Sequence, residues 1–113
     1  MSTRTLEEID RLVGVGGDAD DVLRAVVAEL VREPGVEWAG ILFFEDGELE
    51  LGPQAGEPDE GRRVRVPVAY QGVQVGELAI DGSASSTLLE QVAALVSAHV
   101  LLGWDTGGEA WEP

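Results

Sequence analysis

Residues 36–44 read VEWAGILFF and are apolar at almost every position. Successive side chains of a β-strand point to opposite faces. A strand formed here is therefore apolar on both faces, with Trp38, Leu42 and Phe44 on one face and Ala39, Ile41 and Phe43 on the other. Such a strand belongs at the centre of a sheet that is covered on both sides, so we expect the fold to be built around it.

A partner strand is predicted directly after this segment. Asp46 and Gly47 form a turn dipeptide that favours a hairpin. Residues 48–51 then alternate between glutamate and leucine, which predicts that Leu49 and Leu51 point inward and that the glutamates point outward. The first hairpin therefore has one half-exposed arm.

A second hairpin follows a turn-forming loop at residues 52–61, with arms at residues 62–70 and 73–80. Pro67 cannot donate to a strand ladder, which places its strand at a sheet edge or at a bulge. The parity of the apolar residues switches at Gly76, which predicts a bulge or a close backbone approach there.

Two helices are predicted before the first hairpin. Thr5 and Glu8 have the spacing of a capping box, and the apolar residues after them recur at helical intervals as far as Gly14. Asp18 is the predicted N-cap of a second helix, whose broad apolar stripe suits packing on a sheet. Residues 34–35, Pro-Gly, are expected to end it.

A third helix is predicted after the second hairpin, beginning at Ser85 or Ser86 and ending at Gly103. It is apolar around much of its circumference, which is more than one sheet face can bury. The surplus predicts contact with another helix or a second subunit. Residues 104–113 are interpreted as an acidic C-terminal tail.

These elements predict one α+β domain at residues 1–103, with an antiparallel sheet and helices on one face. The 113 residues carry 22 acidic and 7 basic side chains, for a formal net charge of −15. Such a field disfavours binding to nucleic acid or to an anionic membrane. No segment has the features of a signal peptide or the length of a membrane span, so a cytoplasmic location is expected.

Few residues offer catalytic chemistry. Cysteine is absent, which excludes disulfides, thiolate zinc sites and thiol catalysis. His99 is the only histidine and lies in an apolar helix, where a packed and hydrogen-bonded role is expected. We therefore predict no catalytic residue, cofactor or metal ligand. Arg62, Arg63 and Arg65 crowd into four positions and could hold an anion or an acidic partner, or could balance the nearby glutamates Glu48, Glu50, Glu57 and Glu60.

Two blocks of sequence resemble GAF domains. Residues 38–41 (WAGI), followed by residues 47–53 (GELELGP), resemble the start of the GAF domain in the free methionine-(R)-sulfoxide reductase family. Residues 64–68 (VRVPV) and 72–81 (GVQVGELAID) resemble the closing hairpin of GAF domains in general. The resemblance implies a GAF/profilin-like sheet of about four strands in the order 2-1-4-3.

The chain departs from that family where its chemistry resides. The resemblance implies a cysteine in the loop and further cysteines in a pocket-forming segment between the hairpins, whereas here Pro58 leads through three residues into the second hairpin. The acids that hold the substrate ammonium in the family match Arg63, Ala79 and Asp81, so one of the three is retained. A reductase of this type needs a thiolate nucleophile, and the resemblance therefore implies a chain without that activity.

Three functional interpretations remain. The first is a non-catalytic GAF-like regulatory module that acts through homodimerisation by its terminal helices or through contact with another protein. The second is a GAF sensor that binds a small molecule on the sheet face opposite the helices, near Trp38, Tyr70, Asp81, Arg63 and Arg65. The third is a roadblock-type dimeric interaction domain, which requires a helix between the two hairpins that residues 53–61 do not predict.

Overall fold

A computed structural model describes the backbone of residues 3–15, 18–45 and 47–109, and the side chains of residues 4–15, 18–44 and 47–100. Its elements follow in chain order as α1 (Thr3–Val15), α2 (Ala19–Leu30), β1 (Val36–Glu45), β2 (Glu48–Gly56), β3 (Arg63–Tyr70), β4 (Val73–Gly82) and α3 (Ser86–Glu109). One 3₁₀ turn, Glu60–Arg62, lies between β2 and β3.

The strands form one antiparallel sheet in the order β2-β1-β4-β3. The doubly apolar strand β1 is central, paired with β2 on one side and β4 on the other. The sequence-based prediction of an α+β fold with this strand order is confirmed.

The three helices cover one face of the sheet. α2 packs on β1 and β2, α3 packs on β3, β4 and β1, and α1 lies across both helices. Ala39 and Ile41 of β1 are fully buried beneath them, together with Leu78 and Ile80 of β4. Ile9 of α1 reaches the same core and is also fully buried. This layer buries one side of the central strand. No helix among the described residues covers the other side, so the prediction of a sheet covered on both sides is confirmed for one face and wrong for the other.

The predicted capping box at the start of α1 is wrong. α1 already begins at Thr3, so Thr5 lies within the helix. Its hydroxyl donates a hydrogen bond to the carboxylate of Glu33, which follows α2. Each of these residues is 6% exposed. The Thr5 hydroxyl therefore binds a tertiary partner, Glu33, and does not cap the helix as the local pattern predicted.

The start of α2 agrees with the prediction and its end does not. The Asp18 carboxylate accepts a hydrogen bond from the Asp21 N–H at 3.4 Å, which confirms the N-cap. The helix ends at Leu30, before the Pro34-Gly35 pair that was expected to end it. A turn at residues 31–35 links it to β1.

β2 is longer than predicted, because it continues through the segment interpreted as a loop to Gly56. Pro53 lies inside it and is buried, and an edge strand tolerates the missing N–H. Leu51 is paired with Leu42 on the face away from the helices and is 50% exposed, so the inward orientation predicted for it is wrong. Only residues 57–62 now connect the hairpins, and they contain no helix of the kind that a roadblock-type domain requires.

The second hairpin follows its sequence pattern. β3, which contains Pro67, is an edge strand, and the register of its pairing with β4 shifts between Val68 and Ala69. At Gly76 an added Cβ would overlap the backbone oxygen of Leu42. Both the bulge and the close approach predicted at this glycine are present.

α3 begins as predicted but does not end at Gly103. The Ser85 hydroxyl accepts a hydrogen bond from the Leu88 N–H at 3.0 Å, and the helix continues to Glu109. A glycine inside a helix costs only about 1 kcal/mol relative to alanine, so it need not end one. The tail predicted at residues 104–113 is therefore helical through 109, and residues 110–113 lie outside the described part. No helix among the described residues meets the length and hydropathy needed to cross a membrane.

Candidate functional site

The sheet face away from the helices is called here the outer face. It contains three rows of residues that run across all four strands. From β2 to β3 the first row is Gly56, Trp38, Asp81 and Arg63; the second is Gln54, Gly40, Ala79 and Arg65; the third is Leu51, Leu42, Glu77 and Pro67. The strand register therefore brings Trp38, Asp81 and Arg63 side by side, although they are far apart in the chain.

Trp38 lies flat on the backbone of its own strand. A Cβ built on Gly40 would stand 2.5 Å from Cη2 of the Trp38 ring, so the ring occupies the space that a side chain at position 40 would need. The indole Nε1 donates to Oε1 of Gln54 at 3.0 Å, which fixes the edge of the ring. Trp38 is 2% exposed, although no helix covers this face.

Arg63 covers the indole. Its Cζ lies 4.2 Å from the centre of the Trp38 ring, within cation–π distance. Its Nε and Nη2 donate to the two oxygens of Asp81 at 2.7 and 2.9 Å, a bidentate pair. The N–H of Asp59 adds a third hydrogen bond to Oδ2 of Asp81 at 2.6 Å. Asp81 has no exposed surface, and its carboxylate accepts all three of these hydrogen bonds.

The hydrogen bonds between Arg63 and Asp81 stabilise the charged form of both side chains. The hydrogen bonds from Arg63 hold the pKa of the Asp81 carboxyl below its ordinary value, with a further contribution from the Asp59 N–H, against the opposing effect of burial. The same hydrogen bonds raise the pKa of Arg63. Both groups therefore stay ionised throughout the neutral range.

Residues 57–62, called here the strap, connect β2 to β3 and meet this cluster at Asp59. The N–H of Glu57 donates to the backbone oxygen of Glu37 at 2.9 Å, and Arg62 pairs with the Glu37 carboxylate at 2.9 Å. The strap residues are exposed. It is thus held by polar contacts at both of its ends and in the middle, where Asp59 meets Asp81.

The sequence-predicted site residues do not all meet. Trp38, Arg63 and Asp81 form the cluster described above. Arg65 lies one row further along, with Nη1 3.6 Å from Oε1 of Glu77. Tyr70 is at the opposite end of β3 and packs against the core beneath the helices. The structure therefore brings together three of the five predicted site residues and places Tyr70 on the other side of the sheet.

Each arginine of the crowded group stands beside an acid. Arg62 pairs with Glu37, Arg63 with Asp81 and Arg65 with Glu77. Among the glutamates expected to balance them, Glu60 lies 3.9 Å from Arg63 and is 82% exposed. The arginines therefore do pair with acids, as one of the two interpretations predicted, but these acids lie mainly on β1 and β4 rather than in the loop.

Three surface cavities lie away from the cluster. One of about 460 Å³ opens between α1 and α3, with a floor of Leu6, Ala94 and Leu95. A second of about 360 Å³ lies between β3 and α3, and Ala94 lines this one as well. A third of about 350 Å³ borders Glu33 and the start of α3. These three cavities therefore open around the helices.

Two further sets of ionisable side chains lie outside the cluster. Nδ1 of His99 is buried without a hydrogen-bond partner among them, so the hydrogen bond predicted for it is not seen at that atom. Asp18, Asp20 and Asp21 approach one another at the N-terminus of α2, where Asp18 caps the helix and Asp20 pairs with Arg24 at 2.8 Å. Each of these acids adjoins the helix end that favours negative charge.

Two members of the cluster escaped the sequence reasoning. Gln54 and Asp59 fell in the segment interpreted as a loop, where no periodicity marks a side chain for a partner. Gly40 offered a signal: a glycine inside a strand indicates a close approach, and the Trp-x-Gly spacing puts both residues on one face. In the sequence this spacing indicates only the resemblance to GAF domains, whereas the tertiary structure shows that Gly40 makes room for the indole.

No model of a known protein family matches the chain, and no curated protein matches it. Solved structures do match. The fRMsr of Staphylococcus aureus in complex with its substrate superposes with a TM-score of 0.70 at 17% identity, covering 87% of this chain and 94% of that one. The type II free methionine-R-sulfoxide reductase from Thermoplasma acidophilum gives 0.63 at 21% identity, covering 79% and 94%.

A GAF domain from an enzyme of another kind matches as well. That of the Acinetobacter phosphoenolpyruvate-protein phosphotransferase superposes with a TM-score of 0.71 at 14% identity, covering 96% of this chain and 97% of that one. Identities this low carry information about fold alone. The chain therefore has a small GAF-like fold that resembles the fold of the free methionine-R-sulfoxide reductases.

Proposed function

We propose that this protein is a non-catalytic GAF-like interaction module that works as a homodimer through α1 and α3. The observation that carries the proposal is the burial of Trp38 on the outer face. Its largest aromatic ring, Trp38, is 2% exposed beneath the guanidinium of Arg63, so the position expected for a ligand pocket is filled by the chain itself.

The surface of the helices supports association better. Ala94 is exposed on α3 and lines the cavities on both sides of that helix. Leu6 and Leu95 add half-buried apolar surface beside it. A small residue at the crest of a helix lets a second helix approach closely, so α3 of a second copy can cross at Ala94.

The edges of the sheet are poorly suited to pairing with another copy. β2 contains Pro53 and β3 contains Pro67, and both are edge strands. Proline in an edge strand removes a donor and hinders the addition of another strand. The helical layer is left as the surface for self-association.

Sedimentation of the purified protein at tens of micromolar tests this arrangement. We expect a dimer for the natural sequence and a monomer for Ala94→Arg, because the new side chain puts a bulky charge at the helix crossing. Ala28→Arg is the matched control, since Ala28 is also an exposed helical alanine but lies on α2. A monomeric natural protein, or equal dissociation by both variants, would refute the proposal.

The non-catalytic part has its own test. Free methionine-R-sulfoxide reductases are among the structural neighbours, and this chain has no cysteine to supply a thiolate. We expect no reduction of free methionine-R-sulfoxide in an NADPH-coupled assay with purified protein. Turnover above a buffer control would overturn this part.

A small-molecule sensor is the second candidate, favoured by the meeting of Trp38, Arg63 and Asp81 in one row of the outer face. A ligand there has to displace Arg63 from Asp81, because the pair closes the site. Crystals grown with candidate ligands test it directly: density between Trp38 and Asp81 would support a sensor, and an unchanged Arg63 would count against one.

A further inference from the structure

Arg63 is bound within its own chain in the way that a ligand is bound in a site. Arg62 and Arg65 each meet one acid at the surface, and their side chains are 49% and 52% exposed. The side chain of Arg63 is 20% exposed and is held at its face by an indole and at its edge by a fully buried carboxylate. Only this arginine of the three is enclosed on two sides.

We propose that Trp38, Gln54 and Asp81 form a binding site for the guanidinium group of a small molecule, and that Arg63 fills this site as a tethered competitor. Gln54 belongs to it because it holds the edge of the indole. The protein as folded is thus self-blocked, and a free ligand enters when Arg63 leaves. The proposal rests on the small-molecule sensor given above as the second candidate, and not on the dimer.

The geometry selects a guanidinium over an ammonium. The carboxylate is met by two parallel N–H donors at 2.7 and 2.9 Å, an arrangement that a planar fork provides and a single ammonium does not. The same planar group lies 4.2 Å from the centre of the indole. A compact, strongly hydrated ammonium would satisfy one of these contacts at a time.

In this proposal the ligand reaches the site when the strap moves. Arg63 is the first residue of β3, directly after residues 57–62, so its backbone can shift with the strap while the rest of β3 stays paired. The strap carries exposed side chains and is fastened by polar contacts from Glu57, Asp59 and Arg62. No apolar anchor holds it down among the described contacts.

Chemical rescue of Arg63→Ala tests the site. This variant empties the space above Trp38 and leaves Asp81 without its cation. The thermal midpoint of unfolding is measured with increasing methylguanidinium chloride, with methylammonium chloride and sodium chloride at equal ionic strength as comparisons. We expect a saturable rise on the order of several degrees with methylguanidinium, because a ligand that binds the folded state stabilises it, and a smaller response to methylammonium.

The wild-type protein and Arg24→Ala are the controls, since both keep Arg63 and the strap in place and Arg24 is an exposed arginine of α2 paired with Asp20; neither should show a saturable rise. Equal responses of Arg63→Ala to all three salts would overturn the proposal. If Arg63→Ala does not fold in buffer, the double variant Arg63→Ala/Asp81→Asn supplies a neutral reference. Recovery of the single variant by methylguanidinium then supports the site, and failure to recover while the double variant folds refutes it.

Discussion

Asp81 is a carboxylate without exposed surface on a face that no helix covers. Three hydrogen bonds reach it, two from Arg63 and one from the Asp59 N–H. A buried charge is tolerated when its hydrogen-bonding capacity is satisfied and an opposite charge is adjacent. This single residue therefore ties β4 to β3 and to the strap.

Replacement of Asp81 by asparagine should destabilise the protein. Breaking a fully buried ion pair costs roughly 3–5 kcal/mol, and since Arg63 keeps some exposure we expect about 2–3 kcal/mol by urea denaturation. Glu60→Gln is the control, because Glu60 is 82% exposed and stands 3.9 Å from the same arginine; its cost should lie between about 0 and 1 kcal/mol. Equal losses for the two variants would contradict the assigned role.

The stability supplied by Asp81 should also depend on pH. Its pKa in the folded state is lowered by Arg63, so the contribution is fully present above the unfolded pKa of about 3.9. It is lost as the pH falls through the folded pKa. The difference in unfolding free energy between wild type and Asp81→Asn should therefore shrink below about pH 4. A difference that stays constant between neutral and strongly acidic pH would be inconsistent with this pairing.

Gly40 provides the space in which the indole lies. Alanine there would put a Cβ 2.5 Å from the Trp38 ring and force the ring off the sheet. We expect a loss of roughly 1–3 kcal/mol, as for other overpacked sites, and greater quenching of tryptophan fluorescence by acrylamide. Gly61→Ala is the control, since its Cβ would meet Asp59 at an ordinary 3.6 Å. Unchanged quenching in Gly40→Ala would show that the ring does not depend on this glycine.

At the scale of elements, α1 is fastened to the turn after α2 by a buried polar contact. The Thr5 hydroxyl donates to Glu33, and both side chains are almost inaccessible. Thr5→Val keeps the shape and removes the donor. We expect a cost of about 1–3 kcal/mol because the Glu33 carboxylate loses a partner.

Thr87→Val is the matched control for that change, since Thr87 is exposed on α3. Its effect should stay within about 0.5 kcal/mol. Proteolysis or hydrogen exchange of α1 adds a second readout, because a weakened attachment should open α1 before the rest. A Thr5→Val protein as stable as wild type would show that the Thr5–Glu33 contact does not hold α1 in place.

The elements differ in how well their sequences specify them. The centre of the sheet was predictable because the nearly continuous apolar run of β1 indicates burial on both faces. The extension of β2 through Pro53 was not, because proline and glycine usually mark loops and the pairing with β1 outweighed that local preference. α3 continues past Gly103 because a single glycine costs a helix only about 1 kcal/mol, so helix propensity is a weak guide to where a helix ends.

At the scale of the whole molecule, the net charge of −15 opposes self-association. Glu7 and Asp10 border the cavity between α1 and α3, where the second copy is proposed to pack. Salt should therefore strengthen the dimer, because screening shortens the reach of the repulsion from about 10 Å at 0.1 M to about 3 Å at 1 M.

Sedimentation equilibrium at increasing sodium chloride measures this effect. We expect the dissociation constant to fall as salt rises, and the slope to flatten in the Glu7→Gln/Asp10→Asn variant. Glu48→Gln/Glu50→Gln changes the charge equally on β2, far from those helices, and should leave the slope closer to that of wild type. A dimer that weakens with salt would point to an interface built on ion pairs elsewhere.

The sequence by itself determined the α+β class, the two hairpins and the absence of thiol chemistry, since periodicity, turn residues and composition act locally or over the whole chain, and the strand order was implied by the resemblance to GAF domains. The tertiary structure alone decided that Trp38, Gln54, Asp81 and Arg63 meet on one sheet face, and that Tyr70 does not join them. That outcome depends on the register of three strand pairs and on one glycine under an indole. Register is a cooperative property of the packed sheet, and no single stretch of the chain contains it.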